Sequence, residues 1–587
     1  MQLTFLNKFF TGGIEMKSIN FNDIDIKGEL AVRSGLNFAR LEGQWYRPDE
    51  VFKADSHGWP ADWEGRIILA LTMLAQATHR TPAYLDEIVS LIPGHLNGKG
   101  YFGAILPAGR FDEQHFGGHN WIIRGLIEYY RWKKDEKVKG IVEKIVRNFL
   151  LPARGHFCNY PIEPVKRFEN QDTWILSRLQ TKTKHHAETS DAGCAFIIID
   201  GAAQAYGLLG WPELKELLEE IISRYMEMDL ESLHIQTHAT LSGIRGIIRF
   251  YETTGEAKYL DMAVKRFELY KTAAWTEAYG NYNWFGAPRW TEPCAIIDSF
   301  MVATCLWKHT GDPVYLEDAH LIYFNAMSHG HRINGSFGTD RCCGAKESED
   351  NLFITPINYE TYWCCTMRGG EGFARAIEYN FFVEGEEVLI PFYNNCTATI
   401  RFGEGAWRVE EKTGYPYYGN VRFEILEAST SSQKKIGFFT PSWARNKSAV
   451  LINGAEAKTI YENGFIKLEQ SVKAGDILEL DMGLSLRAEK AEFKNSIDGY
   501  HKFLYGPMLL GYKSECEINS LDGNRFENYA ESKYKSAGEI DIPIEAGFER
   551  TGRSEFRVKD RDIVLSGLCD VRDLTGEDSM RQVLFKG

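Results

Sequence analysis

Tyr362-Trp363-Cys364-Cys365-Thr366-Met367-Arg368-Gly369-Gly370-Glu371 places a vicinal cysteine pair before a small, flexible run and a helix-like segment that reaches Tyr379. Seventy positions before Cys364, the stretch Thr291-Glu292-Pro293-Cys294 adds a carboxylate and a third thiol two residues apart. Three thiolates and one carboxylate have the number and softness that one tetrahedral zinc takes. The spacing is not that of a zinc finger, which would show C-x2-C. The competing reading is four buried residues without a metal, since free cysteine is among the most buried residue types. The same stretch is the last helical segment of the chain, and what flanks it sets the fold class.

Upstream, from about residue 60 to 380, the apolar period is helical. Ile67-Ile68-Leu69-Ala70-Leu71-Thr72-Met73-Leu74 begins an apolar helix. Helix ends then alternate with proline- or acid-led starts at Thr81-Pro82, Trp211-Pro212-Glu213, Thr254-Gly255-Glu256 and Thr310-Gly311-Asp312-Pro313. Glycine past a helix end, and Pro or an acid in the next first turn, are the expected stop and start chemistry. Such units suit stacked helical hairpins, which predicts a closed (α/α)6 barrel; an open solenoid is the alternative. Downstream the period becomes two. Glu387 to Tyr393, Lys434 to Phe439, Ala449 to Ile452 and Phe465 to Leu468 read as short strands, with Asn453-Gly454 as a hairpin turn. The expected class is α+β multidomain. Residues 1–380 would form the helical barrel with an N-terminal extension, 381–502 a β-sandwich and 503–587 a C-terminal β region. Residues 513–550 are polar and predict a long loop.

At 587 residues the chain exceeds one core. A net charge of -14, without any basic run, argues against nucleic acid and anionic membrane as partners. Aromatics reach 13%, enough to stack sugar rings as well as to pack a core. Eleven cysteines are an odd number and lack the dense spacing of a disulfide scaffold. The first ten residues show no basic region, continuous apolar run or cleavage site of a signal peptide, and Met16 is a second candidate start. No window reads as a membrane span. These features predict a cytoplasmic protein.

With the motifs taken in order, the chain resembles glycoside hydrolase family 127, the β-L-arabinofuranosidase-like proteins, over nearly its whole length. The resemblance rests on His119-Asn120-Trp121, Thr237-His238-Ala239-Thr240 before Arg245-Gly246, Glu292-Pro293-Cys294, Tyr323-Phe324-Asn325-Ala326 and Cys364-Cys365. The β part adds Pro441-Ser442-Trp443-Ala444, Ala474-Gly475-Asp476 and Tyr505-Gly506-Pro507. The resemblance implies an (α/α)6 catalytic domain followed by β-sandwiches, and zinc on Glu292, Cys294, Cys364 and Cys365. It implies Cys364 as nucleophile and Glu277, fifteen positions before Glu292, as acid/base. Three departures stand out: Thr276-Glu277 in place of Gly-Glu, Thr366-Met367-Arg368-Gly369-Gly370 after the cysteine pair, and a displaced Gly-His helix start at His119. They bear on the sugar more than on the reaction.

Cleaving a glycosidic bond with retention needs a nucleophile on one face and an acid at the leaving oxygen. A thiolate can serve as that nucleophile, and a metal-bound thiol is deprotonated outright. His119 and His238 are candidate hydroxyl-binding residues, with Asn283 and Trp284 from the loop Asn281-Tyr282-Asn283-Trp284. Glu188, Asp191 and Asp298 are rival carboxylates; Asp298 lies one helical turn after Cys294, placed to support it. Cys342-Cys343 is a decoy pair, and His185-His186 with Glu188, Asp191 and Cys194 a decoy cluster. The expected function is a retaining exo-glycosidase for a terminal pentofuranoside, β-L-arabinofuranoside first, acting on an oligosaccharide or other glycoside. The alternatives are a uronide hydrolase or sugar epimerase on a helical toroid, or a sugar-binding protein with structural zinc. A homo-oligomer is left open.

Overall fold

The computed structural model describes residues 16–53, 59–169, 172–176, 180–182, 187–189, 192–348, 351–429, 434–513, 539–570 and 580–587. Twelve longer helices among the described residues build the part before the sheets: α1 Gly28–Leu41, α2 Asp62–Ala77, α3 Leu85–His95, α4 Glu113–Lys133, α5 Glu136–Ile145 and α6 Ile198–Leu209, then α7 Pro212–Glu227, α8 Thr237–Thr254, α9 Ala257–Ala274, α10 Pro293–Thr310, α11 Val314–Ile322 and α12 Cys365–Glu378. Helices α2, α4, α6, α8, α10 and α12 each pack on the next, and α12 closes on α2. The other six lie outside, each against an inner neighbour. This is a closed (α/α)6 barrel, not an open solenoid.

The residue patterns explain the two layers. Outer helix α7 starts with proline at its first turn and buries Leu214, Leu217, Leu218, Ile221, Ile222 and Tyr225, one apolar stripe at helical spacing. Inner helix α2 buries every residue but Gln76. Inner helices cross closely where glycine removes the side chain: a Cβ on Gly65 would run into the backbone of Ile122. Gly210, Gly255 and Gly311 cap α6, α8 and α10 in the left-handed conformation, as the glycine stops at Gly255 and Gly311 predict.

After α12 the chain turns to strands, the first of them at Phe382, four residues past the helix end. A six-stranded sheet orders Lys17–Ser18, Phe382–Glu384, Glu387–Ile390, Lys435–Phe439, Phe465–Leu468 and Thr459–Glu462. A seven-stranded sheet orders Ala455–Glu456, Ala449–Ile452, Ile477–Asp481, Asn420–Ala428, Gly405–Thr413, Cys396–Phe402 and Ile24–Ile26. Asn453 and Gly454 both take positive φ, as a type I′ hairpin turn needs. Thus the N-terminal residues lend an edge strand to each sheet. A third sheet begins at Leu486, ahead of the residue 503 expected from the alternation. It docks on the barrel through Asn325, which donates to Pro507 O at 2.9 Å and accepts from Leu509 N at 2.7 Å. Most of the polar stretch 513–550 lies outside the described residues. No helix among the described residues is long and apolar enough to cross a membrane.

Candidate metal centre and active site

Two adjacent inner helices bring the cluster together by their N-termini. Pro293 opens α10, which leaves Glu292 at the N-cap and Cys294 in the first turn. Cys364 is the N-cap of α12 and Cys365 its first residue. Helix N-termini favour anionic groups, so the backbone itself supports ionised ligands. The sulfurs of Cys364 and Cys365 are 3.3 Å apart, those of Cys294 and Cys365 3.5 Å. Ligand atoms from Glu292, Cys294, Cys364 and Cys365 all lie within 4.8 Å of one another. Zinc–sulfur bonds of about 2.3 Å in a tetrahedron require sulfurs roughly 3.8 Å apart, so the set fits the metal. The donor chemistry fits as well. Burial pushes the Cys294 and Cys365 thiols well above the ordinary range, with Cys364 raising the first and Cys294 the second. Such thiols ionise together only around a cation. Glu292, Cys294 and Cys365 are buried, whereas Cys364 is half-buried and the most accessible of the four.

Glu292 is held on several sides. In the amide orientation that satisfies both its ends, Asn283 donates to Glu292 Oε2 at 2.6 Å and accepts from Trp290 Nε1 at 3.1 Å. Glu292 N donates to Asn281 Oδ1 at 3.0 Å. His238 stands between two carboxylates, Nδ1 at 3.4 Å from Glu292 and Nε2 at 3.5 Å from Asp298, with its ring stacked on Trp121. Asp298 in turn accepts from Ser242 at 2.6 Å, from Arg245 at 2.8 Å and from Arg368. Burial alone would raise its carboxyl; Arg368 and Arg245 override that and hold it below the usual carboxylate range. Glu371 joins the same network through Arg124, Arg245 and Arg368. The polar loop Asn281 to Trp284 therefore meets the cluster, but as a brace for Glu292. Trp284 is buried at an edge-on angle to Trp290.

Other expected residues sit elsewhere. His119 is fully buried, with Nδ1 at 2.7 Å from His115 O and Nε2 accepting from Phe102 N at 3.2 Å. Both ring nitrogens thus face backbone, and burial pushes its pKa down to about 3. Glu277 is 1% exposed and takes hydrogen bonds from Lys502 Nζ at 2.7 Å, from Phe493 N at 3.1 Å and from Ser496. Among the described contacts none joins Glu277 to the cluster. The Cys342 sulfur lies 3.6 Å from Asn281 O and that of Cys343 3.6 Å from Asn351 O, apart from the ligand set. The side chains of His185, His186, Glu188 and Asp191 lie outside the described residues.

Sequence reasoning missed Asp62 and Arg66 in the first turns of α2. Arg66 Nη1 is 3.7 Å from the Cys294 sulfur, and its Nε donates to Asp62 at 2.9 Å. The available signal was an acid and a base four residues apart at the start of an otherwise apolar helix. Also missed was the aromatic group beside the cysteine pair, in which Tyr362 stacks on Trp45 at 5.4 Å and meets Trp63 at 5.8 Å.

Comparison with known proteins gives three findings. The family model of the β-L-arabinofuranosidase GH127 middle domain matches residues 387–484, within the sandwich. A non-reducing end β-L-arabinofuranosidase of Bifidobacterium longum subsp. longum is 32% identical over 116 residues, which span 19% of this chain but only 17% of that protein. Solved structures of a GH127 β-arabinofuranosidase and of the GH127 β-L-arabinofuranosidase from Geobacillus stearothermophilus T6 share the fold, with TM-scores of 0.67 and 0.64. The first likeness covers 98% of both chains at 14% identity, the second 96% of this chain and 99% of the other at 13%. The sandwich stretch 387–484 thus matches the GH127 middle-domain model, and the whole chain shares the fold of the solved GH127 structures.

Proposed function

We propose that the chain is a retaining exo-glycosidase for a terminal pentofuranoside, with β-L-arabinofuranoside the first substrate to try. The observation that carries this is the convergence of Glu292, Cys294, Cys364 and Cys365, with Cys364 alone half-exposed. The sugar comes from what the relatives are called. Zinc held by these four residues would keep the thiols ionised and Cys364 in place. In the first step the Cys364 sulfur bonds to the anomeric carbon as the carbon–oxygen bond breaks and a carboxyl protonates the leaving oxygen. In the second, water attacks that carbon, the same carboxylate takes the water's proton, and the carbon–sulfur bond breaks. Two inversions leave the configuration unchanged.

Glu277 is our proposal for that carboxylate, on the family resemblance. Asp62 is the second reading, favoured by one observation: its Oδ1 is buried and accepts no hydrogen bond among the described residues. Burial raises its carboxyl against the pull of Arg66. Three free thiols as ligands suit a reducing compartment, so we place the reaction in the cytoplasm, on imported oligosaccharides. A panel of nitrophenyl pentosides and hexosides tests the reading. Release from β-L-arabinofuranoside by the wild type, lost in Cys364→Ser with metal retained, supports it. Turnover that survives Cys364→Ser points instead to the uronide hydrolase or epimerase reading, and no turnover on any sugar to a binding protein.

A further inference from the structure

Arg66 is 5% exposed and held from three sides. Its Nε meets Asp62 Oδ2 at 2.9 Å, its guanidinium lies 4.0 Å over the ring of Trp121, and its Nη1 points at the Cys294 sulfur from 3.7 Å. Trp121 is itself fully buried, with Arg368 at 4.6 Å and His238 stacked at 5.7 Å. A guanidinium fixed this way cannot swing to solvent. The ligand set it faces is over-charged, because four anionic ligands around a divalent cation leave two surplus negative charges. Helix N-termini supply only partial charges against that surplus. A charge-assisted N–H···S contact in a dry site draws electron density from the sulfur that accepts it. Arg66 makes this contact with Cys294 and not with half-exposed Cys364.

We propose that Arg66 is a positioning residue of the metal centre. It damps Cys294, which stays a ligand, so that the sulfurs become unequal and Cys364 is left as the reactive one. Its charge also steadies the Cys364 thiolate when the carbon–sulfur bond breaks. This inference rests on the metal reading of the cluster, and the test separates the two.

The experiment loads full-length wild type, R66K and R66M with cobalt(II) and records the sulfur-to-cobalt charge-transfer bands, with cobalt per chain measured on the same samples. Without the donor the sulfur electrons lie higher, so R66M should hold cobalt yet absorb at longer wavelength, and R66K should fall between. Turnover in R66M should drop by about 10- to 100-fold, as loss of an outer partner of a metal ligand typically does, with KM little changed. Should R66M fail to fold, R66Q, which lacks the charge, must show the shift. Coincident bands in wild type and the neutral variant would overturn the role of Arg66 while leaving the metal reading intact. A wild type that takes up no cobalt overturns both.

Discussion

Lys502, in the third sheet, and Glu277, in the loop that leads to Glu292, form an ion pair of 2.7 Å in which the two side chains are 3% and 1% exposed. Lys502 also donates to Glu277 O at 3.2 Å and lies 4.4 Å over the ring of Tyr279. The C-terminal β region thereby grips the loop that leads to Glu292. Removing one partner of such a pair leaves a buried charge alone, at a cost of about 3–5 kcal/mol, whereas an apolar pair in its place is often neutral. Lys502→Met should therefore destabilise the protein in thermal unfolding, and adding Glu277→Met should recover much of the loss. Equal losses in the single and double variants would show that the pair does not act as a unit.

The ligand set predicts one zinc per chain in protein purified without added metal. Cys365→Ser or Cys294→Ser should abolish or sharply weaken binding, because each removes a buried sulfur from the set. Cys342→Ser and Cys343→Ser should keep the metal, since those sulfurs face backbone carbonyls instead. Elemental analysis of the five proteins decides. Zinc lost from the Cys342 or Cys343 variant and kept in the others would move the site.

How legible this was from the residues differs by element. Glycine stops at Gly255 and Gly311 and the proline start at Pro212 mark barrel turns, because φ > 0 and a missing N–H are local demands. The hairpin at Asn453-Gly454 is legible for the same reason. Edge strands Lys17–Ser18 and Ile24–Ile26 are not: they are too short to show alternation, and their partners are more than 350 residues away. The convergence of Glu292, Cys294, Cys364 and Cys365 was readable as a thiol and carboxylate set. Their support was not, because Arg66 meets Cys294 across 228 positions and only packing brings them together. His119 read as a sugar ligand from its motif; in the fold the backbone of His115 and Phe102 takes both its nitrogens.

Glu411 offers a test of stability away from the site. It points into the sandwich from strand Gly405–Thr413, is 1% exposed, and among the described residues only the backbone of Asn394 favours its ionised form. Burial holds its carboxyl well above the ordinary value of 4.5. A carboxyl raised in the folded state contributes its stability below the unfolded value and loses it as pH climbs toward the folded one. Glu411→Gln should thus be nearly neutral at pH 4 and more stable than wild type at pH 8, because only the acid loses stability when the unfolded chain gives up its proton. Melting curves across that range check it; a gap that stays constant with pH would refute the buried-acid account.

Glu277 and Asp62 can be told apart by what each variant does to the two half-reactions. The residue that protonates the leaving oxygen matters most when that oxygen is basic, as in a sugar alcohol, and little for nitrophenolate. Water attack needs its base whatever group has left. If Glu277 is the acid/base, Glu277→Gln should bond nitrophenyl substrate to Cys364 and then stall, so intact mass spectrometry should find one added sugar. Azide, a nucleophile that needs no base, should remove it. Asp62→Asn should then stall nothing. The Asp62 reading predicts the reverse, with the adduct in Asp62→Asn and none in Glu277→Gln. Glu277→Gln must also retain zinc and fold, since its carboxylate anchors Lys502, and metal content with melting temperature controls for that. Folded, zinc-loaded Glu277→Gln with full turnover of a natural disaccharide would leave Glu277 as an anchor and give the proton transfer to Asp62.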